Sequence, residues 1–360
     1  MGKIIIKGNE AIAMAALNAG LDAFFGYPIT PSSEIPETLA KFYPKRLKVF
    51  LQAESEVASV NMMLGGSACG SRVMTATSSP GFSLMQEGIS YMAGSRLPGV
   101  FVNVMRGGPG LGNIGGEQSD FNQMVKGGGH GGYRLPVFAP NSAQEMYDLT
   151  IRAFDVADKY RTPVIVTTDG YLGQMKEAIV ISDTKVKEYD KAYWTTVGAK
   201  NREPHIITSR KTHIITSIHL AHNLLESHQN KLYTIYDEIK INEVDFEKYR
   251  TDDADIIFVA YGIVSRIVKG VINKARDRGM KAGLFRPKTL WPFPVVQIQK
   301  LSKDCDAFLA VELSKGQMVN EVEHAVFGER PVYFYGRSGG NLPSEKEILK
   351  ALEGCYDGKL

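Results

Sequence analysis

Five side chains combine residue type and position in a way that can do chemistry: Thr30, Glu54, Glu56, Arg106 and His130. The run Phe50-Leu-Gln-Ala-Glu54-Ser-Glu56 ends in two carboxylates and passes into a stretch of small residues, Val57–Gly70. Acidic residues in a helix's first turn offset the positive end of its dipole, so a solvated pair is the plain reading. Val57, Ala58, Val60, Met62, Met63 and Leu64 are apolar nearly all round that helix, which predicts burial and at least one inward carboxylate. A carboxyl group held in a low-dielectric pocket exchanges its proton nearer neutral pH, as a general acid–base must. Arg106 directly follows the apolar run Gly99–Met105. There it is either a surface arginine at a strand end or a fork for a carboxylate, a two-bond geometry that lysine cannot copy. Thr30, in Gly26-Tyr-Pro-Ile-Thr-Pro-Ser-Ser33, either meets a ligand at a strand's carboxyl edge or caps a helix with Pro31 at its first position. Pro36 makes Ser33 the alternative cap. His130, with glycines on both sides, is a ligand contact or plain loop.

These residues need strand ends to hold them, and the pattern supplies such ends. Short apolar runs alternate with helical patterns: strands over 3–7, 22–26, 47–51, 72–77, 99–105, 135–139 and 163–168, and helices over 10–19, up to Ala40, 55–65, 83–95 and 143–159. That rhythm predicts a doubly wound α/β layer with a mostly parallel sheet, whose ligands bind beyond the strands' carboxyl ends. Residues 106–132 interrupt it with 11 glycines in 27 positions, which predicts a loop rather than a regular element. Within it, Gly110-Leu-Gly112-Asn-Ile-Gly115 spells the dinucleotide fingerprint. A nicotinamide site needs those glycines to open a helix, with an acidic residue about 20 positions on, and Asp and Glu are absent from 121 to 144. From about 180 to 250 a polar extension is expected, with a long helix over 232–248. A second α/β alternation then runs from Asp255 to Leu352. The expected division is 1–240 for the first domain with its extension and 241–360 for the second.

The 360-residue chain carries 42 Lys+Arg against 39 Asp+Glu, a formal charge of +3, too small an excess for a dedicated nucleic-acid binder. No run approaches the roughly 20 apolar residues of a membrane span, and the N-terminus lacks a signal-peptide core, so a cytoplasmic protein without a membrane partner is expected. Three cysteines, Cys69, Cys305 and Cys355, have no ligand-like spacing, so the chain is expected to hold no metal or cluster by itself.

Three motifs in one order, YPITPSSE (27–34), ESEVAS (54–59) and LPGVFVNVMRG (97–107), resemble the alpha subunit of the 2-oxoacid:ferredoxin oxidoreductases, which depend on thiamine diphosphate. In the second half, GLFRPKTLWPFP (283–294) and VELSKGQM (311–318) resemble that family's transketolase C-terminal-like domain. The resemblance implies a thiamine-diphosphate-binding fold of the pyrimidine type plus the smaller transketolase-like α/β domain, which mainly builds subunit contacts. It implies that Glu56, rather than Glu54, bonds N1′ of the cofactor's aminopyrimidine, that Pro28 and Ile29 lie beside the cofactor, and that Thr30 and Arg106 meet the substrate, Arg106 at its carboxylate. It also aligns Ser79-Pro-Gly81 with a loop that reads S-Q-G in related single-chain enzymes. Proton sharing at N1′ would favour the cofactor's imino tautomer, and acid–base help of this kind gives ~10²–10⁴-fold. The implied reaction is oxidative decarboxylation of a 2-oxoacid, with 2-ketoisovalerate favoured, to an acyl-CoA with coenzyme A as co-substrate and reduction of ferredoxin. The rivals are a 2-oxoglutarate or pyruvate oxidoreductase subunit and a non-catalytic assembly subunit. No G-D-G…N diphosphate motif and no cysteine set occurs here, so the resemblance implies an obligate beta subunit and further chains carrying Mg²⁺, the diphosphate and the [4Fe–4S] clusters.

Overall fold

A computed structural model describes residues 3–182, 186–196 and 214–358. In chain order the first half contains β1 (Lys3–Lys7), α1 (Gly8–Asn18), β2 (Ala23–Gly26), α2 (Glu34–Ala40), β3 (Val49–Gln52), α3 (Glu56–Ala68) and β4 (Val73–Thr77). It continues with α4 (Ser79–Leu84), α5 (Gln86–Gly94), β5 (Gly99–Met105), α6 (Phe121–Val125), β6 (Val137–Phe138), α7 (Ala143–Tyr160), β7 (Pro163–Asp169), α8 (Gly170–Gln174) and β8 (Lys176–Val180). After α9 (His222–Asn242) come β9 (Phe246–Tyr249), β10 (Ile256–Val259), α10 (Gly262–Arg276), β11 (Ala282–Pro287) and β12 (Thr289–Trp291). The chain ends with α11 (Val295–Leu301), β13 (Ala307–Glu312), α12 (Met318–Val326), β14 (Val332–Gly336) and α13 (Glu345–Tyr356).

A seven-stranded sheet in the order β12-β6-β7-β5-β4-β2-β3 carries the first half. All of its pairings are parallel except that of β12 with β6. Its central strands β4, β5 and β7 are buried along their whole length, which is why they read as unbroken apolar runs rather than alternations. A five-stranded sheet, β14-β13-β10-β11-β9, forms the second layer, parallel except for β9. A short antiparallel pair, β1 with β8, stands apart.

Some expectations required correction. The helix predicted over 232–248 ends at Asn242, and Phe246–Tyr249 is instead an edge strand antiparallel to β11, with the Phe246 and Phe285 rings stacked 5.3 Å apart. Pairing with a distant strand overrode local helical patterning there. The helix expected over 83–95 is two helices, broken at Met85, and the first of them starts at Ser79. The glycine-rich loop holds one short helix, α6. The expected extension also covers 183–185 and 197–213, which lie outside the described residues.

The two layers are clamped together. Thr289–Trp291, late in the chain, is laid into the first sheet as β12. Arg286, almost wholly buried, pairs with both Glu145 carboxylate oxygens at 2.6 and 2.8 Å and with Glu247 at 2.7 Å, joining α7 to β11 and β9. Asp169, at the end of β7, accepts from the Leu172 amide at 3.0 Å and, across the layers, from the Ile263 amide at 3.1 Å. It thereby caps both α8 and α10, and burial pushes its carboxyl up to about 6. None of the described helices is long and apolar enough to cross a membrane.

Candidate active site

Four parallel neighbours, β3, β2, β4 and β5, end on one edge of the first sheet, and each delivers one part of the site. Thr30 follows β2, Glu56 follows β3, Ser79-Pro-Gly81 follows β4, and Arg106 follows β5. In an open α/β sheet this edge is where ligands bind.

The two carboxylates of the ESE run part company. Glu54 is exposed, whereas Glu56 is only 5% exposed at the first position of α3. Ser55 fixes that start, its side chain accepting from the Ala58 amide at 3.1 Å. Among the described residues, no hydrogen bond from the chain engages the Glu56 carboxylate. The helix behind it is not buried all round, since Val57, Asn61 and Gly65 form an exposed stripe while Val60, Met63 and Ser67 face the core.

Gly81 lies against Glu56. A Cβ there would stand 2.2 Å from the Thr77 Oγ1 and 2.5 Å from the Glu56 Oε1. Only glycine lets Thr77 and Glu56 come this close to the backbone. The Thr77 hydroxyl there, and that of the adjacent Ser78, are buried and have no partner among the described residues, and such groups cost free energy unless something bonds them. A buried carboxylate with no partner among the described residues, near orphaned hydroxyls, fits a flat, protonated ring nitrogen approaching Glu56.

Arg106 and Thr30 are in direct contact. The Arg106 Nη1 donates to the Thr30 carbonyl at 2.9 Å and Nη2 to the Leu111 carbonyl at 3.1 Å, while Nε is buried without a partner among the described residues. Two of its five donors are committed, which fixes the fork and leaves the others for an anion. Thr30 is not a helix cap, because α2 begins at Glu34 after Ser33. Its exposed hydroxyl makes no hydrogen bond within the chain among the described residues. Pro28 is exposed and Ile29 half-buried in the same turn, which Ser32 braces by donating its hydroxyl to the Ile29 carbonyl at 2.8 Å. His130 is exposed on the far side of the loop, in a cleft with Ser90, Tyr91 and His228. It does not join the strand-end residues.

A polar cavity of about 440 Å³ opens beside Arg106, lined among others by Ser79, Gly107, Glu117, Asp120 and Gln317. The Ser79 hydroxyl donates to Asp120 at 2.6 Å and accepts the Arg106 backbone N–H at 3.0 Å. Asn103 also donates to Asp120, at 2.9 Å. Burial raises the Asp120 carboxyl above its ordinary range, and the bonds from Ser79 and Asn103 oppose the shift. Sequence reasoning passed over Asp120 and Gln317. The one available signal was the polar run Glu117-Gln-Ser-Asp120 closing the first glycine cluster. That cluster folds on itself, with Gly107 donating to the Gly115 carbonyl at 2.8 Å and Gly112 at φ +56°, and it opens no helix as a dinucleotide loop must.

A parallel sheet whose edge holds a buried first-turn glutamate, backed by a smaller α/β layer, defines the thiamine-diphosphate-binding fold with a transketolase C-terminal-like domain. Residues 14–245 match the family model described as pyruvate flavodoxin/ferredoxin oxidoreductase, thiamine diphosphate-binding, and residues 254–348 match pyruvate:ferredoxin oxidoreductase core domain II. The chain belongs to the 2-oxoacid:ferredoxin oxidoreductase family. It is 48% identical over 352 residues to the ketoisovalerate oxidoreductase subunit VorB of Methanothermobacter marburgensis, covering 98% of this chain and 97% of that one. It is 36% identical over 369 residues to the 2-oxoglutarate synthase subunit KorA of the same organism, covering 97% and 98%. Among solved structures, a 2-oxoglutarate:ferredoxin oxidoreductase from Magnetococcus marinus, with 2-oxoglutarate, coenzyme A and succinyl-CoA bound, superposes with a TM-score of 0.84 at 27% identity. That match covers 98% of this chain, which spans 65% of the length of the other.

Proposed function

We propose that this chain is the alpha subunit of an enzyme that oxidatively decarboxylates 2-ketoisovalerate to the acyl-CoA and CO₂ and passes the electrons to ferredoxin. The observation that carries the reading is the buried Glu56 carboxylate, without a hydrogen-bond partner among the described residues and packed on Gly81, at the strand edge that also presents Thr30 and Arg106. Thiamine diphosphate, when bound, supplies the nucleophilic carbon and the electron sink for loss of CO₂. Glu56 would share a proton with N1′ of the aminopyrimidine, and Pro28 and Ile29 would help to hold that ring. Arg106 directs its free N–H groups to the substrate carboxylate, and the Thr30 hydroxyl orients the same end. Fixing the acid in this way converts a bimolecular encounter into a positioned one.

The diphosphate with Mg²⁺, and the [4Fe–4S] clusters, are assigned to a beta subunit and further chains, because no diphosphate motif or cysteine set occurs in this sequence. Coenzyme A as acyl acceptor is supported by the ligand of the Magnetococcus structure. The name of the 48% identical relative supports the branched-chain acid. The reaction is assigned to the cytoplasm, where oxidised ferredoxin is available to take the electrons. Assaying the reconstituted complex with 2-ketoisovalerate, pyruvate and 2-oxoglutarate tests the assignment: the highest kcat/KM belongs to 2-ketoisovalerate, and equal or higher values for either rival would reassign the substrate.

A further inference from the structure

The substrate arginine is held from its backbone as well as from its side chain, and the chain of contacts that holds it begins in the other domain. Glu312, wholly buried at the end of β13, accepts the backbone N–H groups of Gln317, Met318 and Val319, all at 3.1 Å, and the Ser314 hydroxyl at 2.8 Å. This carboxylate caps α12 and fixes where Gln317 stands. The Gln317 amide then straddles Asp120, donating to the Ser119 carbonyl at 2.6 Å and accepting the Asn122 N–H at 2.8 Å. One position earlier, the buried Gln118 is fixed by the same domain. It accepts the Leu313 N–H at 2.9 Å and donates to the Tyr261 carbonyl at 3.1 Å.

Asp120 is thus set from both sides. Ser79 has a single hydroxyl proton, and the 2.6 Å contact with Asp120 takes it in preference to the Arg106 carbonyl at 3.3 Å. The Ser79 lone pairs therefore face the Arg106 N–H. A Gln317 that shifted would move Asp120, rotate the Ser79 hydroxyl and release the base of the arginine. Apart from the main-chain step from Ser119 and Asn122 to Asp120, every link in this relay is a direct hydrogen bond, so coupling passes through a contiguous network rather than through mere proximity.

We propose that Gln317 is a positioning residue for substrate binding, acting through Asp120 and Ser79 on Arg106. This rests on the reading of Arg106 as the group that holds the 2-oxoacid carboxylate. It gives the transketolase-like domain a part in acid recognition beyond building subunit contacts.

The test is a double-mutant cycle in the reconstituted complex, with Gln317→Met, Arg106→Ala and the pair, reading KM for the 2-oxoacid, KM for coenzyme A, and kcat. Gln317→Met, close in volume but unable to make either amide bond, is expected to raise the 2-oxoacid KM about tenfold, with the coenzyme A KM unchanged. In the Arg106→Ala background the same change is expected to add nothing. An unchanged 2-oxoacid KM in Gln317→Met, or a full tenfold effect persisting without Arg106, overturns the proposal. If Arg106→Ala itself leaves the 2-oxoacid KM unaltered, it is the reading of Arg106 that fails. Should Gln317→Met not assemble, Ser79→Ala cuts the same relay within the first domain and must produce the same selective rise in KM.

Discussion

The Arg106 guanidinium donates to the Thr30 main-chain carbonyl at 2.9 Å, so the two residues assigned to the substrate acid, 76 positions apart in sequence, form one rigid corner of the site. The bond makes the orientation of each a function of the other. On the proposed assignment, Arg106 is already oriented before an acid arrives and has less freedom to lose on binding it.

Arg106→Lys is expected to raise KM for the 2-oxoacid by about 10- to 100-fold while leaving kcat within a few-fold, because an ammonium cannot hold the Thr30 and Leu111 carbonyls and a carboxylate fork at once. Steady-state kinetics on the assembled complex measure this. A change confined to kcat would contradict a binding role.

Glu56→Gln keeps the shape of the side chain and removes its capacity to take the N1′ proton. Turnover of the intact complex is expected to fall by about 10²- to 10⁴-fold with the thermal midpoint of the chain scarcely altered. Unimpaired turnover would favour the view that this chain only supports assembly.

Gly81→Ala places a methyl group against the Thr77 hydroxyl and the Glu56 carboxylate, where the nearest atoms stand at 2.2 and 2.5 Å. The overpacking is expected to cost about 1–3 kcal/mol of stability and to displace Glu56. Cofactor affinity should drop with activity. Isothermal titration of thiamine diphosphate into the complex checks it, and undiminished affinity would mean that the cofactor does not depend on how Glu56 is seated on Gly81.

Asp169 gives a pH dependence with a definite sign. Its carboxyl, ordinarily near 3.8, is raised to about 6 by burial, so between those values the folded chain keeps a proton that the unfolded chain has lost. The native state then binds more protons, and the stability contributed by this group falls as pH rises from about 4 to about 6, by up to about 3 kcal/mol. The wild type should therefore lose stability relative to Asp169→Asn across that window, as read by denaturant unfolding at a series of pH values. A difference that stays flat with pH would refute this.

Much of the fold was legible before any coordinates. The strand Gly99–Met105 and the helix beginning at Ala143 stand where their apolar patterns put them, because a central parallel strand buried on both faces must be continuously apolar and a helix beneath it must be amphipathic. Phe246–Tyr249 was not legible, because its strand state comes from β11, which lies some 40 residues further along the chain.

What the sequence by itself determined was the set of candidate residue types and the strand ends that carry them: a glutamate opening a helix, an arginine closing a strand, a threonine in a proline turn. Chain order fixes which residue follows which strand, and parallel pairing then sends all those ends to one edge. Only the tertiary structure decided which of Glu54 and Glu56 turns inward, that Gly81 rests on Glu56, and that Gln317 of the second layer grips the loop behind Arg106. Those outcomes depend on contacts between segments up to about 200 residues apart. Such contacts are selected by packing and hydrogen-bond satisfaction over the whole molecule, which no local spacing encodes.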